Sequence, residues 1–218
     1  MRNRIRIAVD GPSGAGKSTI AKAVAQRLSI DYIDTGAMYR AVGYKLLQEG
    51  VSLEDLEKVA EVLARTDIDF SCGNIYLDGE NINDKIRTEE ISRQASACSA
   101  LGIVREKLTE QQQEMGARKS VIMDGRDIGT VVFPDAEYKF YITASAEERA
   151  KRRYKELLEK GQKAVYEKVL ADIKQRDYND TTRKINPLRK AEDALTVDTT
   201  EMSREEVIDF ICSRLSEI

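Results

Sequence analysis

The spacing of apolar residues along the chain predicts strands and helices in alternation. In residues 4–9, Ile5, Ile7 and Val9 fall at every second position, which is the period of a β-strand. Over residues 17–28 the apolar residues recur every three or four positions, as on one face of a helix. Comparable patterns predict helices over residues 35–49, 53–65, 88–100 and 103–117, helices that begin at Ala146, Val165 and Ser203, and strands over residues 121–123, 138–143 and 194–197.

A second two-residue pattern interrupts this series at residues 66–84. Ile68, Phe70 and Cys72 alternate with polar residues, a Gly-Asn turn follows, and Ile75 and Leu77 resume the alternation before an Asp-Gly turn. Short alternating segments joined by such turns are typical of antiparallel strands. Strands that alternate with helices elsewhere indicate a parallel sheet with helices on both faces. We therefore predict an α/β fold with a small antiparallel β insertion.

The composition excludes several classes of function. The chain has 218 residues, which suits one core with insertions. It contains no histidine, so histidine-based acid–base catalysis and histidine-ligated zinc are excluded. A net charge of −3 argues against a protein that lives on nucleic acid. Three scattered cysteines, the lack of a long apolar run and the lack of a visible signal segment predict a cytoplasmic protein without a disulfide framework or membrane span.

A Walker A motif begins at Gly11. It follows the first predicted strand and precedes a predicted helix, which is the context that such a loop requires. Its glycines let backbone N–H groups converge on phosphate oxygens. Lys17, which we expect to be exposed at the loop–helix junction, can bridge the β- and γ-phosphates, and the Ser18 hydroxyl can bind Mg²⁺. The residues of this segment predicted to contact ATP are Gly11, Pro12, Ser13, Gly14, Ala15, Gly16, Lys17, Ser18 and Thr19.

A short apolar segment that ends at Asp124 has the form of a Walker B strand. Asp124 would hold Mg²⁺ directly or through water, and the alternative is a simple turn aspartate before glycine. No glutamate follows it, and no Asn-Lys-x-Asp motif occurs, so a hydrolytic base and a guanine-reading motif are both missing. A Walker A loop without a hydrolytic base indicates a kinase, because the acceptor then supplies the nucleophile.

Arginines recur where the carboxyl edge of the sheet is predicted, and α/β proteins bind their ligands at that edge. A kinase with a phosphorylated acceptor needs arginines, since they offset the repulsion between two polyanions and bind phosphate bidentately. Arg40 lies one turn into a helix that we expect Thr35 to cap, and its alternative role is a solvated helix arginine. Arg126 and Asp127 directly follow the Walker B strand.

Two further sets of charged residues lie on predicted helices. Arg149 and Arg153 are four residues apart, so their like charges repel unless an anion lies between them. Arg176, Asp180 and Arg183 have the spacing of one helical face. The alternative for the first pair is a solvated basic face, and the alternative for the second set is an internal ion-pair stripe.

Together these motifs resemble those of the bacterial cytidylate kinases, within the nucleoside monophosphate kinase family. The resemblance spans nearly the whole chain, and the block Asp-Gly-Arg-Asp-Ile-Gly-Thr at residues 124–130 is far more specific than the Walker A loop. The antiparallel insertion is similar to the extra segment of the monophosphate-binding domain in these enzymes. The matching segments are residues 11–18, 34–40, 86–88, 124–136, 176–183 and 187–188.

The resemblance implies a role for each matching residue. Arg40 and Arg126 would hold the acceptor phosphate, and the cytosine would be read by Ser96, Arg105 and Asp127. The remaining implied contacts are those of Thr35, Arg176, Asp180 and Arg183 with the acceptor, and those of Arg149 and Arg153 with ATP; the implied catalytic residues are Lys17, Arg126, Arg176 and Arg183. The implied division of the chain is a core (1–34, 101–148 and 191–218), a monophosphate-binding segment (35–100), a lid (149–165) and an acceptor-contacting helix (165–190).

Three functions are compatible with these features. The first is a monomeric kinase that converts CMP and dCMP to CDP and dCDP by direct in-line transfer from ATP with Mg²⁺, and that binds neither nucleic acid nor membrane. The second is a kinase for a non-nucleotide metabolite on the same core, which would need neither the insertion nor the second arginine set. The third is a non-catalytic nucleotide-switched binding module, which would need a hydrolytic or guanine-reading motif. We expect the first.

Overall fold

The computed structural model describes residues 4–71 and 73–215. Its strands are β1 (Arg6–Asp10), β2 (Asp31–Asp34), β3 (Ile68–Ser71), β4 (Asn74–Leu77), β5 (Glu80–Asn81), β6 (Val121–Gly125), β7 (Tyr138–Thr143) and β8 (Leu195–Asp198). Five of them form a parallel sheet in the order β2-β6-β1-β7-β8. The strand that leads into the Walker A motif is therefore the central one, and residues 7–10 of that strand are buried.

Helices cover both faces of this sheet, as predicted. They are α1 (Lys17–Leu28), α2 (Thr35–Gln48), α3 (Leu56–Ala64), α4 (Glu89–Cys98), α5 (Gly102–Arg118), α6 (Ala146–Glu159), α7 (Tyr166–Thr182) and α8 (Arg204–Leu215), with a short π-helix at Ile128–Val132. Ile7 and Val9 pack with apolar residues of α1 and α8, whereas Ala8 packs with those of α2 and α5. Across the described part of the chain, no helix is both long enough and apolar enough to cross a bilayer.

The antiparallel insertion is confirmed as a three-stranded sheet of β3, β4 and β5. Ile68, Ile75 and Leu77 turn inward and join the apolar core that α2 also lines. The Lys45 ammonium of α2 pairs with the carboxylate of Asp78 in the turn that follows β4, so one ion pair ties the insertion to the core. The predicted alternation at Cys72 lies outside the described residues.

Several predicted element boundaries differ from the structure. β1 begins and ends later than predicted, at Arg6 and Asp10, and β6 extends beyond the predicted end to Gly125. The C-terminal ends of β1 and β6 both extend beyond the prediction, because Val9 and Asp10 pair in register with Asp124 and Gly125. α3 is shorter than the predicted helix over residues 53–65. Its start is set by Asp55, whose side chain caps the helix by accepting a hydrogen bond from the N–H of Lys58.

Candidate active site

The loop between β1 and α1 is a backbone cradle whose shape requires glycine at three positions. Gly11, Gly14 and Gly16 have φ values of 146°, 77° and 88°, where residues with a Cβ are disfavoured. A side chain at Gly11 would collide with the carbonyl of Ile142 in β7. At Gly14, a Cβ would lie 3.3 Å from the Cβ of Arg149. The loop is therefore wedged between β7 and the start of α6, with its N–H groups available to an anion.

Lys17 lies inside this cradle, and the expectation that it is exposed is wrong. Its side chain is buried, and the ammonium donates a hydrogen bond of 2.7 Å to the carbonyl of Pro12 within the same loop. The loop thus folds over its own lysine. Burial and, to a smaller extent, the nearby positive charge of Arg126 lower the pKa of Lys17 to about 7, with Asp124 and Asp10 opposing the shift. A bound phosphate would place a negative charge directly against the ammonium and so favour its charged form.

Two hydroxyl groups fix the carboxylate of Asp124. The Ser18 hydroxyl donates to Asp124 Oδ2 at 2.9 Å, and the Tyr32 hydroxyl donates to Oδ1 at 2.7 Å. Burial and the charge of Asp34 raise the pKa of Asp124 to about 6. A hydroxyl and a carboxylate at adjoining positions provide the oxygen donors that Mg²⁺ prefers. Sequence reasoning missed Tyr32, because it reaches Asp124 only through the pairing of β2 with β6.

Asp34, rather than Thr35, caps α2, so the expected cap is wrong. Asp34 Oδ1 accepts a hydrogen bond of 2.9 Å from the N–H of Ala37. The Thr35 hydroxyl is used elsewhere, since it donates at 2.7 Å to the carbonyl of Asp124. This bond ties the start of α2 to the end of β6. A direct contact of Thr35 with an acceptor stays a prediction.

Both arginines predicted to hold the acceptor phosphate are paired with carboxylates. Arg40 contacts Asp34 at 2.8 Å, and Arg126 Nε contacts Asp180 Oδ2 at 2.7 Å. Burial lowers the pKa of Arg126, but the charge and hydrogen bond of Asp180 outweigh that effect and leave the pKa raised. The same attraction holds the pKa of Asp180 low in spite of its burial. These carboxylates orient the two guanidinium groups in the absence of phosphate.

Arg176 differs from these two arginines. Among the residues that the structure describes, no carboxylate lies within ion-pair distance of its guanidinium. Burial lowers the pKa of Arg176 to about 10, and the positive charges of Arg126, Arg40 and Arg153 contribute, with Asp180 opposing. The charge of Arg176 is also felt by Lys17. Several cations therefore converge beside the Walker A lysine, and such a convergence favours a bound anion.

The buried carboxylate of Asp127 lies between two arginines. Arg105, which is 1% exposed, donates to Asp127 Oδ2 and, at 3.1 Å, to the carbonyl of Ser99. The Arg105 guanidinium also lies over the ring of Tyr39, 5.4 Å from its centroid. A second arginine, Arg183, approaches Asp127 Oδ1 at 3.5 Å. The structure thus brings together Arg105 and Asp127, which the resemblance pairs as base readers.

Arg183 does not share a helical face with Arg176 and Asp180 as predicted. α7 ends at Thr182, and Arg183 is the residue that follows, with an extended backbone. Its guanidinium donates to the carbonyl of Asn186 at 2.8 Å and lies 3.8 Å from Asp180. From this position beyond the helix end, Arg183 reaches both Asp180 and Asp127.

A cleft of about 410 Å³ opens between α4 and the end of α7. Ser96, Asp180 and Arg183, three of the predicted acceptor residues, line it together with Arg93 and Asn179. The cleft thus places Ser96, a predicted base reader, beside Asp180 and Arg183, which are predicted to contact the acceptor, whereas Arg105 and Asp127 are not among its lining residues.

Arg149 and Arg153 have separate protein partners. Arg149 is buried, donates to the carbonyl of Ser13 at 2.9 Å and pairs with Asp177 at 2.6 Å. Arg153 is half exposed and pairs with Glu156 of its own helix at 2.9 Å. Sequence reasoning missed Asp177, although its position next to Arg176 on α7 is a usable signal. Arg149 therefore braces the Walker A loop, and Arg153 remains at the surface.

Comparisons with known proteins agree with this geometry. Residues 7–217 match the family model described as cytidylate kinase. A cytidylate kinase of Clostridioides difficile is 52% identical over 96% of this chain and 97% of its own, and one of Bacillus subtilis is 49% identical over 100% and 99%. A gluconokinase structure from Sinorhizobium meliloti, at 15% identity, shares the fold with a TM-score of 0.51 over 99% of this chain and 96% of that one. The chain therefore belongs to the cytidylate kinase family.

Proposed function

We propose that this kinase transfers the γ-phosphate of ATP to CMP and dCMP, giving CDP and dCDP. The observation that carries the proposal is the clustering of Arg126 and Arg176 beside the buried Lys17, with Arg40 close to Arg176. A cluster of cations next to a phosphate loop, two of them held by carboxylates that a phosphate can replace, suits a reaction that brings two polyanions together. Membership of the cytidylate kinase family supports cytosine as the acceptor base.

The residues act by position and charge. Lys17 would contact the β- and γ-phosphates in the loop, while Arg126 and Arg40 exchange their carboxylate partners for the acceptor phosphate. Arg176 and Arg183 would stabilise the charge that spreads over the transferring group. An in-line displacement of this kind needs no covalent enzyme intermediate, because alignment and electrostatic stabilisation supply most of the catalysis.

We propose that Ser18 and Asp124 hold Mg²⁺. Their oxygens are already neighbours, 2.9 Å apart, and suit a hard cation. The metal would neutralise charge on the β- and γ-phosphates of ATP. Tyr32 keeps Asp124 in place from the other side, so the carboxylate need not rotate when the Ser18 hydroxyl leaves it.

Residues 149–165 form the proposed lid over ATP, and α7 carries the acceptor contacts. The Arg149–Asp177 pair joins the two helices beside the Walker A loop, so a movement of α7 would reach the loop through Arg149. We propose that Arg153 approaches ATP when the lid closes, which would also exclude water. A monomeric state and a cytoplasmic location stay predictions.

An ADP-release assay with a panel of acceptors tests the function. We expect release that depends on CMP or dCMP, weaker release with UMP, and background release with AMP, GMP or gluconate. Chromatographic separation should identify CDP as the product. Release of ADP without any acceptor would indicate an ATPase, and a preference for gluconate would indicate a metabolite kinase, the second function considered from the sequence. ATP binding without turnover on any acceptor would favour a binding module.

A further inference from the structure

Asp10, the last residue of β1, is a buried carboxylate that the proposed mechanism does not use. It is 4% exposed. Oδ1 accepts a hydrogen bond of 2.8 Å from the N–H of Ile128, and Oδ2 accepts one of 2.7 Å from the N–H of Gly129. These are the first two residues of the π-helix, and the first N–H groups of a helix have no partner inside it. Asp10 therefore caps a helix that belongs to a distant part of the chain.

Asp127 occupies the position from which a residue normally caps its own helix. Aspartate is among the residues preferred there, because its side chain can accept a bond from the first-turn N–H groups. In this structure the Asp127 side chain makes no capping bond. Its carboxylate is directed instead to Arg105 and Arg183. One carboxylate cannot serve both purposes with good geometry, so the cap from Asp10 leaves Asp127 available to the arginines.

The surroundings show why Asp10 can reach this position. A Cβ at Gly129 would lie 3.4 Å from Asp10 Oδ2 and 3.2 Å from the Cδ of Lys139, so the carboxylate packs closely against the backbone of this glycine. Lys139 does not compete for the carboxylate, since its ammonium is bound to Asp193 at 2.7 Å and to the carbonyl of Pro134 at 2.6 Å. Both oxygens of Asp10 are therefore directed to the π-helix.

We propose that Asp10 is a positioning residue for acceptor specificity. By capping the π-helix from β1, it keeps the Asp127 carboxylate on Arg105 and Arg183, where that carboxylate would accept a hydrogen bond from the exocyclic amine of cytosine. Uracil presents an acceptor at the same place and is disfavoured by a carboxylate. This inference rests on the proposed CMP kinase activity.

The substitution Asp10→Asn tests the proposal, because the amide keeps one acceptor oxygen and loses the other. An uncapped N–H then competes for the nearest carboxylate, that of Asp127. We expect the ratio of kcat/KM for CMP to that for UMP to fall about fivefold or more, with the KM for ATP changed less than about twofold. Asp198→Asn is the matched control, since Asp198 also ends a strand of this sheet but is exposed. That control should leave the ratio unchanged.

A double-mutant cycle shows whether Asp10 acts through Asp127. Asp127→Asn alone should lower the CMP-to-UMP ratio, since an amide can donate to uracil. The double variant Asp10→Asn/Asp127→Asn should have the same CMP-to-UMP ratio as Asp127→Asn alone, because the carboxylate that Asp10 positions is already changed. A further fall of the same size as in the single Asp10→Asn variant would overturn the proposal.

Hydrogen exchange provides a readout that does not depend on turnover. In Asp10→Asn, amides in residues 126–133 should exchange faster than in the unsubstituted protein, while those of α8 do not. Uniformly faster exchange with an unchanged CMP-to-UMP ratio would mean that Asp10 serves stability alone. If Asp10→Asn does not fold, Gly129→Val is the second variant, because its branched side chain would crowd Asp10 Oδ2 and the stem of Lys139; it should lower the same ratio. An unsubstituted protein that ignores CMP would refute the proposed function, whereas the exchange experiment would still test the cap.

Discussion

The donor and acceptor halves of the site are built in different ways. The phosphate loop is one contiguous segment whose shape depends on backbone torsions at three glycines and on a lysine that it encloses. The acceptor half is assembled from side chains of α2, α5, α7 and the end of β6, and most of its arginines are held by carboxylates. A backbone cradle is ready before its ligand arrives, whereas ion pairs must exchange partners. We therefore expect substitutions in the donor half to affect turnover most and those in the acceptor half to affect both binding and turnover.

The largest effect should follow from Lys17→Met. The methionine fills the space of the lysine stem, so the unfolding free energy should not fall, because the variant also removes a buried cation with a depressed pKa. The transition state loses a charge on the γ-phosphate, and kcat should fall by roughly 100-fold or more, about 3 kcal/mol. Steady-state kinetics and thermal unfolding measure the two quantities. Lys22→Met, an exposed lysine on the same helix, is the control, and near-normal kcat in Lys17→Met would refute the cradle.

Arg183→Lys should have an intermediate effect on the acceptor half. Lysine keeps the charge but cannot span Asp127, Asp180 and the Asn186 carbonyl as the guanidinium does. We expect a folded protein whose kcat/KM for CMP, measured at saturating Mg·ATP, falls about tenfold or more. Arg189→Lys, at an exposed position beyond the helix, should behave as the unsubstituted protein does. Equal kinetics in both variants would restrict Arg183 to a structural role in the ion-pair network with Asp127 and Asp180.

The smallest effect should come from Arg153→Gln. Its half-exposed pair with Glu156 contributes about 0–1 kcal/mol to folding, so the unfolding free energy should hardly change. If Arg153 reaches ATP in the closed lid, the KM for ATP should rise about two- to fivefold, roughly 0.5–1 kcal/mol, and the KM for CMP should not. Lys155→Gln, on the exposed side of α6, is the comparison variant. A KM for ATP that is the same in both variants would remove Arg153 from the donor half.

What the sequence predicted depends on how local each feature is. The Walker A loop, the antiparallel insertion and the α/β order are encoded in short spacings, and the structure confirms them. Tyr32, Asp177 and Asp10 escaped prediction because their partners are brought near by strand pairing or by the packing of α7 on α6. The choice between Asp34 and Thr35 as a cap could not be made locally, since the deciding contact is the bond from Thr35 to Asp124.

The burial of Lys17 shows the same limit within a single motif. The spacing of the Walker A residues predicts the cradle, but it does not show that the Pro12 carbonyl turns inward to hold the ammonium. The π-helix is a further case. The segment of residues 128–132 is short and mostly apolar, and nothing in its own sequence indicates that the N–H groups of its first two residues donate to a carboxylate in β1.

The strand order has a consequence for how the protein is made. In the described sheet the neighbours of β1 are β6 and β7, and the neighbour of β2 is β6. A nascent chain that has reached only α5 therefore holds two strands of the parallel sheet before their partners exist, while β3, β4 and β5 can already pair. Sheets with such distant pairings fold slowly, and their unpaired strands are exposed to aggregation meanwhile. The phosphate loop is thus the first motif to be synthesised and among the last to gain its supporting sheet.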